Sequence, residues 1–293
     1  MNDLLLTSAF LKRLLVDQAH IRQSKWMLLI KGTQLRPQSP LFRDRELEIR
    51  EYFEISKASL WSLYLSKGVP NTRRFKGYLD KCFEDRRTPE LLKRAYEEAA
   101  FSYCLRLMLA FERYSMVSDY LDTLFSLHGK RDHSLNRWRV LDYGCGVSDI
   151  GLLMAVLGSE VTICDLADQK LSFAEWRYRR RGLDVEVVPV ISPKEIPPLK
   201  KGCYDLVIAT EVLEHVFDPL QCLRTLTGTL GPGGVLFNSM GNSFDRDTRG
   251  DHLESAISIG KSEEYRRYYG AHYIPVCPSE GRHYLFRKVD VEP

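Results

Sequence analysis

The stretch from residue 139 to 238 limits the fold of this 293-residue chain more than any other part of it. Short runs rich in β-branched and aliphatic residues alternate there with segments of helical length. The strand runs are Arg139-Val140-Leu141-Asp142-Tyr143, Val161 to Cys164, Val185 to Val188, Tyr204 to Ala209 and Gly234 to Asn238. Helices are read at 149–158, 167–181 and 218–230. Strands separated by helices are βαβ units, and these units build a parallel sheet.

The remainder has a different texture. In the first 136 residues, Leu11, Leu14, Leu15 and Ala19, and later Leu91, Leu92, Ala95, Ala99 and Leu107, recur at helical spacing. Thr88-Pro89-Glu90 reads as a cap followed by proline at the first helical position. The polar run Gly129 to Ser134 breaks the pattern and marks a junction between a helical N-terminal region, 1–136, and an α/β domain, 137–293. Beyond Asn238, a helix at Ser262 to Tyr269 and an alternating run at His283 to Val289 read as a partly antiparallel edge of the same sheet.

Composition excludes several classes. The seven cysteines are odd in number and widely spaced, with no CxxC pair, which argues against a disulfide framework or a bound metal. The apolar run Leu4 to Leu6 is interrupted by Lys12, Arg13 and Asp17, short of the ~18 apolar residues of a membrane span. A cytoplasmic location without a membrane partner is the expectation. The N-terminal 136 residues carry 23 Lys and Arg against 17 Asp and Glu, most simply solvated helix faces. Arg73-Arg74 and Arg86-Arg87 lack interleaved aromatics, so no nucleic-acid partner is expected. The cluster Arg177 to Arg181 reads as the solvated C-terminal end of a helix.

The chemistry-bearing signal is Asp142-Tyr143-Gly144-Cys145-Gly146-Val147-Ser148. A strand entering a tight Gly-x-Gly turn before a helix lets a ligand approach the backbone closely. Where a dinucleotide fingerprint requires its third glycine, this chain has Asp149, an anion beside a helix N-terminus that would otherwise hold pyrophosphate. With Asp142 it favours a cofactor bearing cationic ammonium and sulfonium groups. Asp165 directly follows the second strand, where an acid can accept hydrogen bonds from ribose hydroxyls. Cys145, held in the turn, reads as structural.

These blocks, with Tyr204 to Val216 and the turn Leu230-Gly231-Pro232-Gly233-Gly234, resemble in order and spacing the class I S-adenosylmethionine-dependent methyltransferases of small-molecule type. The resemblance covers residues 137–245. It implies an α/β, Rossmann-like, mostly parallel seven-stranded sheet with helices on both faces, preceded here by the helical N-terminal region. It implies S-adenosyl-L-methionine as cofactor, with Asp142, Tyr143, Gly144 and Gly146 around the methionine moiety. Asp165 and Leu166 would lie at the ribose, and Thr210 and Glu211 would line the pocket after the fourth strand. The third loop glycine of that family is Ser148 here. The acid that often follows the third strand is absent, which leaves adenine to backbone groups or Ser192.

Methyl transfer needs alignment and, where the nucleophile is protonated, a base. His215 and His252 are the candidates, because histidine titrates near neutrality. Asn238, Asn242 and Asp245 could bind a polar acceptor. The expected reaction is methylation of an oxygen or nitrogen of a small molecule. Methylation of a protein or peptide partner, or a degenerate fold acting as a binding module, are the alternatives. The N-terminal region would serve as a lid, or as a surface for a homodimer or protein partner. Its aromatics (Trp26, Phe42, Tyr52, Phe53, Trp61, Tyr64, Phe75, Tyr78) read as helical core.

Overall fold

The computed structural model of the chain describes residues 45–66, 89–109, 120–128, 135–238, 252–276 and 285–289. Among the described residues, four helices precede the sheet: α1 (Arg45–Tyr52), α2 (Lys57–Ser66), α3 (Pro89–Leu109) and α4 (Leu121–His128). The α/β part follows as β1 (Arg139–Tyr143), α5 (Asp149–Val156), β2 (Glu160–Leu166), α6 (Gln169–Arg180), β3 (Glu186–Val190), β4 (Tyr204–Ala209), a short 3-10 turn (Leu213–His215), α7 (Pro219–Thr229) and β5 (Leu230–Asn238). It closes with α8 (Glu254–Gly260), α9 (Glu263–His272), β6 (Tyr273–Pro275) and β7 (Leu285–Lys288). One seven-stranded sheet results, in the order β3-β2-β1-β4-β5-β7-β6. The first five strands are mutually parallel, and β7 runs antiparallel to β5 and β6. The expected parallel sheet with an antiparallel edge is therefore present.

Alternation along each strand sends neighbouring side chains to opposite faces, and each face has its own core. Val140, Ile163, Leu206 and Ile208 meet Leu152 and Met154 of α5, Leu171 and Tyr178 of α6, and Leu121 and Phe125 of α4. Leu141, Cys164, Val207 and Ala209 belong to the cluster that holds Leu220, Leu223 and Leu226 of α7 and Tyr265 of α9. Helix starts are set by caps: the Asp168 carboxylate accepts from Lys170 N, and Asp218 accepts from Gln221 N ahead of Pro219. α3 begins at Pro89, as its sequence predicts.

Two differences from expectation have physical reasons. β5 begins at Leu230 rather than Gly234, because the Pro-Gly-Gly segment is absorbed as an irregularity where the β4–β5 register shifts. α8 and β6 carry no expectation: each is short, and β6 owes its place to pairing with β7.

A third cluster joins the N-terminal helices to the sheet domain. Ile49, Leu60, Cys104 and Leu105 pack with Phe173 of α6 and Val147 of the glycine turn. Tyr52 lies 4.9 Å from Phe173 and 5.4 Å from Trp176, centroid to centroid. Tyr52 and Phe53 thus belong to a helical core, as read. Trp26, Phe42, Phe75, Tyr78, the Tyr64 side chain and the junction at 129–134 lie outside the described residues. Among those described, no helix is long and apolar enough to cross a membrane.

Candidate active site

The site forms at the carboxyl ends of β1, β2 and β4, where parallel strands deliver their loops to one rim. The turn after β1 has three residues at positive φ: Gly144 at 66°, Gly146 at 57° and Ser148 at 52°. A Cβ at Gly144 would lie 2.3 Å from Val212 Cγ2, so the segment after β4 rests directly on this turn. Asp142 is buried, and its Oδ2 accepts from Ser148 Oγ at 2.9 Å and from Gly151 N at 3.1 Å. With the Ser148 proton committed to Asp142, the Tyr178 hydroxyl donates to Ser148 Oγ at 2.9 Å. Ser148 adopts the left-handed backbone that glycine would take most easily, and its side chain ties β1 to α5 and α6.

Asp165, at the end of β2, reaches back to the same turn. Its Oδ2 accepts from Gly146 N at 2.6 Å and its Oδ1 from Leu166 N at 2.7 Å. Burial pushes its carboxyl above the ordinary aspartate value, while Lys170 and the two backbone donors pull it back. Burial, with the carboxylates of Asp165 and Asp142 close by, raises the Cys145 thiol well above its ordinary value. That thiol stays protonated, in keeping with a structural cysteine.

Asp149 requires a correction. Its carboxylate does not present a negative charge to a ligand: Oδ2 accepts from Arg45 at 2.5 Å and Oδ1 from Arg177 Nη1 at 2.9 Å, with all three side chains buried. The cluster at the end of α6 is likewise not simply a solvated helix terminus. Arg177 is fully buried, donating from Nε to Glu48 at 3.1 Å and from Nη1 to the Val147 carbonyl. Arg181 pairs with Glu48 as well, whereas Arg179 is exposed. Counter-charges on α1, invisible to local patterning, make this burial tolerable. The conclusion drawn from Asp149 survives for another reason. The Gly151 N–H at the start of α5 is committed to Asp142 and the Gly146 N–H of the turn to Asp165, so two donors that could hold a pyrophosphate are already in use.

Lys170 and its aromatic neighbours carry no signal in the sequence. Lys170 is buried, pairs with Asp168, and lies 5.3 Å from the Tyr96 ring centroid and 5.9 Å from that of Tyr103, both on α3. Burial acts to lower its pKa, but Asp165 and Asp168 raise it, and the net shift is upward. Only the long-range packing of α3 on α6 brings these groups together.

After β4, Thr210 is buried and Glu211 is exposed at φ 54°. A non-glycine residue in this left-handed region stores backbone strain of about 1–3 kcal/mol, a feature that clusters at ligand sites. Glu214 is 1% exposed, and its Oε1 lies 4.0 Å from His215 Nε2. The His215 and His252 rings meet edge to face with centroids 5.1 Å apart. Leu253 N donates to the Glu214 carbonyl at 3.0 Å and anchors the segment that carries His252. The two histidines, read separately from the sequence as acceptor-side candidates, are therefore neighbours. Asn238 is buried at the end of β5, and Ser192 Oγ accepts from Lys194 N at 3.4 Å. Asn242 and Asp245 lie outside the described residues.

Comparison with known proteins points to the same part of the chain. Residues 141–236 match the family model described as a methyltransferase domain. The ubiquinone biosynthesis O-methyltransferase of Bordetella pertussis is 40% identical over 108 residues, covering 36% of this chain and 44% of that protein. Its namesake in Xanthomonas campestris pv. campestris is 39% identical over 101 residues, 34% of this chain and 42% of that protein. The chain thus spans less than half the length of the curated relatives it matches. Among solved structures, an S-adenosylmethionine-dependent methyltransferase from Mesorhizobium loti aligns with a TM-score of 0.32 at 24% identity, over 41% of this chain and 54% of that one.

Proposed function

We infer that this chain, whose residues 141–236 are a class I S-adenosylmethionine-dependent methyltransferase domain, transfers a methyl group from S-adenosylmethionine to an oxygen or nitrogen of a small-molecule acceptor. The observation that carries the reading is the rim around the glycine turn. Asp165 is fixed there by two backbone donors, while the N–H groups of Gly146 and Gly151, which a phosphate would use, are already spent. Such a rim suits an adenosyl cofactor that has ribose hydroxyls and no pyrophosphate.

Within this reading, Asp165 accepts from the ribose, and the turn Gly144 to Gly146 lies along the methionine moiety. Leu166, Thr210 and Glu211 complete the pocket. Asp142 works at one remove, holding the turn through Ser148 and Gly151. The cofactor supplies an electrophilic methyl on a sulfonium, with a good leaving group already in place. The chain's own contribution is alignment, exclusion of water and removal of the acceptor's proton. That last task falls to the group formed by Glu214, His215 and His252, beside the segment that rests on the turn. An oxygen acceptor is favoured by the similar Bordetella and Xanthomonas proteins, which are O-methyltransferases.

Calorimetric titration of the purified chain with S-adenosylmethionine, S-adenosylhomocysteine and NAD tests the reading. Micromolar binding of both adenosyl ligands, and none of NAD, is expected. Absence of binding by both adenosyl ligands would overturn it.

A further inference from the structure

The group Glu214, His215 and His252 holds more than a pair of titratable rings. One ligand-type atom from each residue, a carboxylate oxygen and two imidazole nitrogens, lies within 4.8 Å of the other two. Glu214 and His215 share one 3-10 turn after β4, whereas His252 arrives from beyond β5. Its approach is built in: Leu253 is 1% exposed, precedes the first residue of α8, and donates its N–H to the Glu214 carbonyl at 3.0 Å. Glu214 presents its carboxylate from a buried position beside both rings. Two imidazoles and a carboxylate are a donor set suited to borderline divalent ions, and three protein ligands leave coordination positions for a further group.

We propose that Glu214, His215 and His252 form a binding site for one divalent transition-metal ion of zinc-like ligand preference, whose open position takes the hydroxyl oxygen of the acceptor. Ion-to-ligand distances of about 2.0–2.2 Å place neighbouring ligand atoms roughly 3–3.6 Å apart. The present separations of up to 4.8 Å therefore close with side-chain rotations of about an ångström. Hard ions such as magnesium prefer all-oxygen surroundings and suit this set poorly.

The role of the ion rests on the methyltransferase reading, whereas its binding stands on the three side chains. With the two imidazoles and the carboxylate engaged as ligands, the group removes the acceptor's proton through the ion: a bound hydroxyl ionises more readily, as bound water does, and its proton passes to solvent. The resulting oxygen lone pair forms the bond to the methyl carbon. The carbon–sulfur bond breaks with its electron pair returning to sulfur, giving neutral S-adenosylhomocysteine.

The test uses the full chain, freed of metals by a chelator and titrated with cobalt(II) chloride under anaerobic, reducing-agent-free conditions. The expected result is one saturating equivalent with visible ligand-field absorption, displaced by zinc chloride. His252→Ala and, separately, Glu214→Gln should each weaken uptake by at least tenfold. His252→Asn provides a second loop variant in case the alanine form unfolds, which far-UV circular dichroism reports. Absence of saturable cobalt uptake, or uptake undiminished in a folded His252 variant, overturns the metal site. S-adenosylmethionine titrated into the same metal-free samples separates the two failures. Cofactor binding without metal uptake removes the ion and leaves the methyltransferase reading, whereas loss of cofactor binding with cobalt uptake intact does the reverse.

Discussion

Glu48 and Arg177, 129 residues apart, meet in a buried ion pair: Glu48 accepts from Arg177 Nε at 3.1 Å, and the same guanidinium donates to the Val147 carbonyl in the glycine turn. A helix far upstream of the sheet thus braces the loop proposed to hold the cofactor. Together with Ile49 and Leu60, which pack with Val147, this pair makes α1 and α2 part of the support of the site.

Removing one partner of a buried pair leaves the other charge uncompensated, at a cost of about 3–5 kcal/mol. Glu48→Ala should lose stability in that range in denaturant unfolding, because Arg177 and Arg181 both lose this carboxylate. It should also weaken S-adenosylmethionine binding, because Arg177 keeps Asp149 and the Val147 carbonyl but loses the carboxylate that orients its Nε. Glu51 provides the contrast. Its partner is Arg180 at 2.6 Å, but 41% of the Glu51 side chain is exposed. Solvent-screened pairs contribute about 0–1 kcal/mol, so Glu51→Ala should be nearly silent. Equal effects of the two substitutions would refute the bracing role.

Gly144 tests the contact between the turn and the segment after β4. Alanine there must adopt a φ of 66°, at a cost of roughly 1–2 kcal/mol, and its Cβ would meet Val212 Cγ2 at 2.3 Å. Gly144→Ala should therefore lose stability and most cofactor affinity. Val212→Ala removes the clashing methyl groups, so the double variant should recover part of the loss but not the backbone component. A double variant no better than Gly144→Ala would show that Val212 is not the obstacle.

The α/β half of the fold was legible because its information is local. Val140 and Leu141 lie on opposite faces as strand alternation requires, and the helix read at 218–230 is found as α7 behind the Asp218 cap. The glycine turn and Asp165 could also be read, since one topology fixes their register. What escaped local reading depends on distant partners. Arg177 looked solvated because Glu48 lies 129 residues away. Asp149 looked like an electrostatic wall toward a ligand because nothing near it in sequence reveals Arg45. Lys170 gave no signal because Tyr96 and Tyr103 reach it through the packing of α3 on α6. His215 and His252 were each legible as candidates, but their meeting depends on how the chain returns after β5.

Asp165 supplies a pH prediction. Burial raises its carboxyl above the ordinary range near about 3.9. A raised carboxyl protonates earlier on acidification, and the ionised form costs the folded protein stability at neutral pH. In the proposed function ribose hydroxyls donate to this carboxylate, so bound cofactor would favour the ionised form. S-adenosylmethionine affinity should therefore be level near neutrality and fall on mild acidification, beginning above the usual aspartate range. Calorimetry across pH checks this against Asp165→Asn, expected to be weak throughout and without that step. An identical pH profile in the asparagine variant would assign the titration to another group.

Ser148 sets two effects against each other. Its φ of 52° suits glycine, so Ser148→Gly relieves backbone strain of about 1 kcal/mol. The same change removes the hydroxyl that donates to Asp142 and accepts from Tyr178, both at 2.9 Å. Depriving buried polar groups of a partner costs about 1–3 kcal/mol for each group affected, so the hydrogen-bond loss should outweigh the relief. Ser148→Gly is expected to be destabilised by roughly 1 kcal/mol or more, and Ser148→Ala further, because alanine loses the bridge and keeps the strain. Tyr178→Phe, which removes one donor and leaves the Ser148 to Asp142 bond in place, should fall between wild type and Ser148→Ala. Thermal or denaturant unfolding of the three variants orders them. A Ser148→Gly protein more stable than wild type would mean that the family's glycine at this position answers to backbone conformation, with the hydroxyl bridge contributing little.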